Sequence, residues 1–150
     1  MIHSSYFPFG VSGQLPTGFL SAFAVDVPTP GTMVGIGYYG TAAGDGIKVG
    51  LYSDANGAPG SLIVEAFAGT TTAGSVVLPV QATPLLPGVY WIAYESAGTS
   101  FLGFDGNLTV PVTLEVINAV AFSDPLPPTF VPNQPPFQTA TFNFWIQVAP

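Results

Sequence analysis

Glycine and proline are spread along the whole of this chain. Its 150 residues include 18 Gly and 16 Pro, more than a fifth of the total. In a helix interior a glycine costs roughly 1 kcal/mol and a proline roughly 3 kcal/mol relative to alanine. No long window of the sequence repeats its apolar residues with the helical period. The chain is therefore interrupted too often for a helix bundle, and it favours short strands joined by turns.

Between these interruptions lie short segments rich in β-branched and aromatic residues, several of them alternating apolar and polar side chains. Turn signals recur about every ten residues, which is typical of sandwiches and barrels. The predicted strands are Phe19–Val27, Thr32–Tyr39, Ile47–Tyr52, Leu62–Phe67, Ser75–Val80, Val89–Glu95, Ser100–Phe104, Leu108–Phe122 (one strand or two) and Thr139–Val148. We predict an all-β fold, an antiparallel β-sandwich of about eight or nine strands that is jelly-roll-like.

The length suits one domain, within which four regions differ in composition. We assign residues 1–18 to an N-terminal arm or edge strand, 19–122 to the sandwich, 123–138 to a proline-rich extended segment and 139–150 to the final strand of the sandwich. Proline offers no N–H to a sheet, so the third region is expected to be extended. It is either a surface connection across the end of the sandwich or an arm that contacts a neighbouring subunit. Phe130 and Phe137 favour contact, because solvated linkers rarely carry aromatic residues.

Charged residues make up only 6% of the chain: eight acids, the single lysine Lys48 and no arginine. Without a basic surface the chain is not expected to bind nucleic acid or an anionic membrane. Cysteine is absent, which excludes disulfides and thiolate metal sites. The first residues lack the pattern of a signal peptide, and no apolar run is long enough for a membrane span. Because the mean hydropathy is +0.51, we expect much of the surface to be buried in an assembly.

No catalytic group stands out, and the sequence predicts neither an enzyme nor a cofactor. The only histidine, His3, lies near a terminus, whereas a catalytic histidine is held rigidly by a third group. Lys48 follows Asp45 closely and is expected to pair with a carboxylate. Glu65, Glu95 and Glu115 are scattered acids of the kind that any β-sandwich carries.

The sequence contains two candidate binding sites, one for calcium and one for a glycan. Asp54 and Asn56 are spaced like the first ligands of a calcium loop, although the third ligand and the distal Glu of that loop are missing, and the Asn-Gly pair by itself explains a turn. Tyr90, Trp91 and Tyr94 are candidates for a glycan-binding surface. Alternation within their strand places Tyr90 and Tyr94 on one face with Ile92, and Trp91 on the other with Glu95. Packing in the core is the competing role for these aromatic residues.

Two stretches, Val49–Ile63 (VGLYSDANGAPGSLI) and Leu85–Ala93 (LLPGVYWIA), resemble a recurrent bacterial and phage β-sandwich display module. In that module a strand ending in LYSD leads into a GxPGxL loop, and a later GxYW strand returns. The resemblance implies a sandwich in which Leu51 is buried, Tyr52 and Ser53 leave the sheet, and Gly57 and Gly60 permit a tight loop. Similar modules occur in anchored extracellular bacterial proteins and in phage virion proteins.

The absence of a leader pattern favours a virion protein that folds in the host cytoplasm before assembly. The expected function is that of a non-enzymatic capsid decoration (cement) protein on the outside of a phage particle; a tail or fibre component and a carbohydrate-binding module are the alternatives. The expected partners are further copies of the chain, as a homotrimer, and the major capsid protein or another virion protein. The residues expected at these interfaces are Tyr6, Phe7, Phe9, Phe130 and Phe137.

Overall fold

A computed structural model describes residues 2–3, 11–104, 112–139 and 142–150 of the chain. Among them there is no helix, and the named strands pair in antiparallel fashion, while one isolated parallel bridge joins Thr17 to Ser96. The strands are β1 (Ile2–His3), β2 (Val11–Gln14), β3 (Phe19–Val27), β4 (Gly31–Gly40), β5 (Gly44–Asp54), β6 (Pro59–Thr71), β7 (Gly74–Leu85), β8 (Gly88–Ser96), β9 (Phe101–Phe104), β10 (Val112–Asn118), β11 (Phe137–Thr139) and β12 (Phe144–Val148).

These strands form two sheets that pack face to face. The first sheet has the order β1-β12-β4-β9-β2, and β7 also pairs with β4. The second has the order β11-β10-β3-β8-β5-β6. The long β6 and β7 belong to different sheets, so the turn between them links the two layers. The predicted antiparallel β-sandwich is confirmed.

The main core lies between the two sheets and is built from alternate residues of each strand, as the period of two requires. From the second sheet come Phe23, Ile92 and Tyr94, and from the first come Ile36 and Phe144, among others. The rings of Tyr94 and Phe144 stack across the core, with their centroids 4.8 Å apart. The strong alternation seen in the sequence thus marks the residues that join the layers.

The structure contains more strands than the sequence predicts. The additional ones are β1, β2 and β11, which are short and carry no clear alternation. Since β1 pairs with β12 and β2 pairs with β9, the described parts of the N-terminal region are edge strands of the first sheet. The segment predicted at 108–122 contains β10; residues 105–111 lie outside the described residues.

Tyr52 corrects one expectation. It does not leave the sheet but lies in β5 opposite Trp91 of β8, and its side chain is fully buried. It faces away from the main core, towards the outer side of the second sheet. Something must therefore cover that outer side, and the proline-rich region does so.

Candidate functional site

Residues 120–136, which connect β10 to β11, cross the outer face of the second sheet; we call this segment the strap. Its Leu126 and Phe130 are buried and form a second apolar cluster with residues of the sheet. The sheet contributes Leu20, Ala22, Tyr52, Trp91 and Ala93 to this cluster. The ring of Phe130 meets that of Tyr52 edge to face at 5.5 Å. The strap is thus a third layer over part of the sandwich.

Hydrogen bonds fix the strap along the start of β6. The backbone N–H of Leu62 donates to the carbonyl of Pro128, and that of Phe130 donates to the carbonyl of Gly60, both at 2.9 Å. The Tyr52 hydroxyl donates to the carbonyl of Pro127 at 2.8 Å. Prolines offer no N–H but keep their carbonyl, so a proline-rich segment can still dock on a sheet as an acceptor.

The single lysine holds the first part of the strap. Lys48 and Glu95 are directly opposite each other in β5 and β8. The Lys48 ammonium donates to the carbonyl of Phe122 at 2.6 Å and to that of Asp124 at 2.5 Å, and it lies 3.8 Å from Glu95 Oε1. It also lies 5.0 Å from the centre of the Phe122 ring. One cation therefore joins two strands to the strap.

Glu95 is the most perturbed carboxylate of this group. Its side chain is 3% exposed, and Oε1 has no hydrogen-bond partner among the described residues. Burial raises the pKa of Glu95 from 4.5 to about 7; Lys48 lowers it, while Asp124 and Glu65 raise it further. Glu65 itself is exposed and accepts a hydrogen bond from the backbone N–H of Leu126 at 3.2 Å.

Asp45 does not pair with Lys48. Its Oδ2 accepts a hydrogen bond from the backbone N–H of Thr99 at 2.7 Å. Residues three apart in a strand point to opposite faces, so nearness in sequence was misleading here. The expected carboxylate partner exists, but it is Glu95 on the neighbouring strand.

The predicted interface residues have different fates. The prediction of Phe130 as an interface anchor is wrong, because its side chain is only 3% exposed and packs between the strap and the second sheet of the same chain. Phe137 is 49% exposed and remains available for contact. Tyr6, Phe7 and Phe9 lie outside the described residues.

The predicted glycan surface is also wrong as an assembled site. Tyr94 lies in the main core, where burial raises its pKa, whereas Trp91 lies under the strap on the opposite face. The Tyr90 hydroxyl donates to the carbonyl of Leu86 at 3.0 Å and is only partly buried. The predicted alternation of this strand is confirmed, but both of its faces are covered, so the three rings offer no common platform.

Asp54 and Asn56 have structural roles in a turn. The two carboxylate oxygens of Asp54 accept hydrogen bonds from the Trp91 indole at 2.9 Å and from the backbone N–H of Gly57 at 3.2 Å. Asn56 and Gly57 have φ values of 55° and 86°, which the turn requires. Within the described ranges no group of three or more His, Cys, Asp or Glu is placed to hold a metal ion.

An apolar cleft opens at the edge of the sandwich beside β10 and β11. Its cavity volume is about 300 Å³. Apolar lining comes from Pro16, Phe19, Leu114, Val116, Pro135 and Phe137, and polar lining from Ser21 and Gln134. No described lining residue is charged, and the rings of Phe19 and Phe137 are 37% and 49% exposed. This cleft is the described surface best suited to take an apolar group from a partner.

A second cavity, of about 370 Å³, lies beside the Lys48 cluster between β6 and the strap. Its described lining is Lys48, Glu65, Ala66, Phe67, Ser123 and Pro125. Phe67 is 60% exposed, and its ring centre lies 5.8 Å from that of Phe122. This cavity gives solvent a route to the edge of the strap.

Sequence reasoning missed the strap contacts of Tyr52, Glu65 and Leu126. The one available indication was the presence of large apolar residues within an uncharged proline-rich segment. No protein-family model, curated protein or solved structure matches this chain. In the part of the chain that the structure describes, no helix could cross a membrane.

Proposed function

We propose that this chain is a non-enzymatic structural protein of a phage virion, a capsid decoration protein that attaches to the particle by apolar contact. The observation that carries this proposal is the uncharged cleft with the exposed rings of Phe19 and Phe137. The resemblance to display modules of virion proteins supports the choice of particle. The same surface also suits contacts between copies, as in a homotrimer.

The charge composition supports attachment by apolar burial. Surface ion pairs contribute about 0 to 1 kcal/mol each and weaken with salt. Apolar burial contributes roughly 25 cal/mol per Å² and is not screened. The only lysine contacts the strap and Glu95, and the sequence has no arginine, so the chain has no free lysine or arginine side chain to offer a partner. Its carboxylates could meet basic residues of a shell, but only as rim contacts.

Attachment is tested with purified particles and two matched variants. We expect Phe137→Ser to reduce occupancy on the particle at least about tenfold, which corresponds to roughly 1.4 kcal/mol of lost contact. Leu86→Ser is the control, because Leu86 is 73% exposed in the turn between β7 and β8 and does not line the cleft. Equal occupancy of both variants would refute the role of the cleft.

A salt series and a urea series separate the two kinds of contact. We expect occupancy to survive about molar sodium chloride and to fall in urea at concentrations that leave the chain folded. Release by salt alone would mean that the carboxylates carry the contact. Light scattering of the free chain tests the homotrimer separately.

The N-terminal aromatic residues Tyr6, Phe7 and Phe9 remain proposed anchors. Deleting residues 1–18 would also remove β1 and β2. Replacing the three aromatic residues with serine is therefore the cleaner test. Normal occupancy of a folded triple variant would exclude them. Copurification with tails or fibres instead of capsids would move the protein to that part of the virion, and retention on a polysaccharide would support the glycan alternative.

A further inference from the structure

We propose that the strap is a proton-controlled cover: it is held closed over the outer face of the second sheet when Glu95 is protonated, and it loosens when Glu95 ionises. This inference is independent of the proposed function. It starts from the geometry of the strap and its supporting residues.

The strap closes over the carboxyl group of Glu95, whose surroundings stabilise its ionised form only weakly. Glu95 Oε1 is buried without a hydrogen-bond partner, and the one cation within 4 Å of it in the described part of the chain is the Lys48 ammonium, at 3.8 Å. The Lys48 ammonium makes its shorter contacts, which are hydrogen bonds, to the strap carbonyls of Phe122 and Asp124. An ionised carboxylate in this place is desolvated without full compensation.

The charged groups around Glu95 come from β5, β6 and the strap. Lys48 and the ionisable Tyr52 lie on β5, Glu65 lies on β6, and Asp124 lies on the strap. On the other side, β3 brings the uncharged Leu20 and Ala22 close to Glu95. Asp26 of β3 shares this face but lies opposite Val89, at the other end of β8. Glu65 and Asp124 oppose a negative charge on Glu95, and Lys48 alone favours it. The strap itself thus brings one of the opposing carboxylates.

The direction of the effect follows from linkage. With the strap closed, the pKa of Glu95 is about 7, above its ordinary value of 4.5. Opening the strap exposes the carboxyl to water and lets the pKa fall towards that ordinary value. The closed state therefore binds more protons between these values, so its stabilisation is fully present below pH 4.5 and is lost as the pH rises through 7.

We expect the strap to open without unfolding the sandwich. Its contacts lie on the outer face, whereas the main core lies between the sheets. Opening would uncover Tyr52 and Trp91, an aromatic surface now closed to solvent. Local opening below the free energy of global unfolding is common for segments of this kind.

Hydrogen exchange followed by NMR tests the proposal on the full chain. The reporting amides are those of Leu62, Leu126 and Phe130, which bond across the strap. After correction for the intrinsic rate, we expect their opening to become at least about tenfold more frequent between pH 5 and pH 8, one pKa unit corresponding to tenfold. Amides of the central strands β3 and β8 should exchange more slowly throughout.

Glu95→Gln should remove this dependence and keep the strap closed at pH 8. Asp26→Asn is the matched control, because Asp26 is an exposed carboxylate of β3 on the same sheet, and it should behave like the wild type. An unchanged pH dependence in Glu95→Gln would overturn the proposal. Equal exchange of strap and central amides would also overturn it, because the strap would then open only with the whole chain.

A direct titration keeps the test decisive if Glu95→Gln does not fold. The side-chain carboxyl carbon of Glu95 is followed by NMR in the wild-type chain. A midpoint near pH 7, with strap amide signals shifting over the same range, supports the cover. A midpoint near 4.5, or strap signals that do not respond, refutes it.

Discussion

At the residue scale, the smallest side chains make room for the largest. Gly37 of β4 lies directly opposite Trp145 of β12, and a Cβ added to Gly37 would collide with the indole ring. Trp145 is 1% exposed, so it has no free space into which to move. The requirement for glycine here comes from close packing and not from the backbone conformation.

We expect Gly37→Ala to lower the free energy of unfolding by about 2 kcal/mol or more, because the added methyl group overpacks a rigid site. Gly69→Ala is the matched control: Gly69 lies on β6, with no atom near the position of its Cβ. That variant should stay within about 0.5 kcal/mol of the wild type. Urea unfolding of both variants measures the difference, and equal values would contradict this account of Gly37.

At the element scale, predictability follows the strength of alternation. Both faces of β8 could be assigned from the sequence, because its apolar residues alternate between two partners. The strap could not be placed in this way, since prolines impose no period that identifies a buried face. The pairing of Lys48 with Glu95 is equally unpredictable from the sequence. The two residues lie far apart in the chain, and only the register between β5 and β8 brings them together.

The predicted glycan surface shows that a local sequence pattern does not reveal which strand faces are open to solvent. The sequence pattern identifies Tyr90, Trp91 and Tyr94 as neighbours in a strand and assigns each to the face that it occupies in the structure. Whether a face is open to solvent depends on what lies over it, which here is the strap on one side and the first sheet on the other. Burial by a distant segment is a tertiary property that a local pattern does not contain.

The closed strap should add to the stability of the chain through the apolar side chains that it buries on the outer face of the second sheet. We expect Phe130→Ala to cost about 3 to 5 kcal/mol, because it removes a large buried ring from the outer cluster. The neighbouring Val131 is 67% exposed, so Val131→Ala should cost less than about 0.5 kcal/mol. Thermal and urea unfolding of the two variants provide the comparison. If both variants were equally stable, the strap would not be packed as described.

At the scale of the whole molecule, the sheets join segments that are distant in sequence. The first sheet places β12 between β1 and β4, so the two ends of the chain must meet before it is complete. Such non-local pairing slows folding, because loop-closure entropy is lost before the contacts form. The sandwich was predictable from the spacing of turns, whereas this strand order was not.

We expect refolding to be slow and to depend on how long the chain has been unfolded. The unfolded chain equilibrates its 16 X-Pro bonds, each with about 10–30% cis, so few unfolded molecules retain every native isomer. In a double-jump experiment, chains unfolded for about a second should refold faster than chains unfolded for many minutes. A prolyl isomerase should accelerate the slow phase, and identical kinetics after both delays would contradict this expectation.

The proline content also bears on fibril formation. A sandwich with exposed sheet edges and almost no charge lacks the lysines that usually prevent edge-to-edge stacking. Here β7, which pairs only with β4 among the described strands, carries Pro79 and Pro84, neither of which has an N–H to donate. The start of β6 at the edge of the other sheet is bonded to the strap through Leu62 and Gly60. The prolines of β7 and the strap on β6 thus leave fewer free backbone N–H and C=O groups at these sheet edges, where an amyloid-like ladder would otherwise grow.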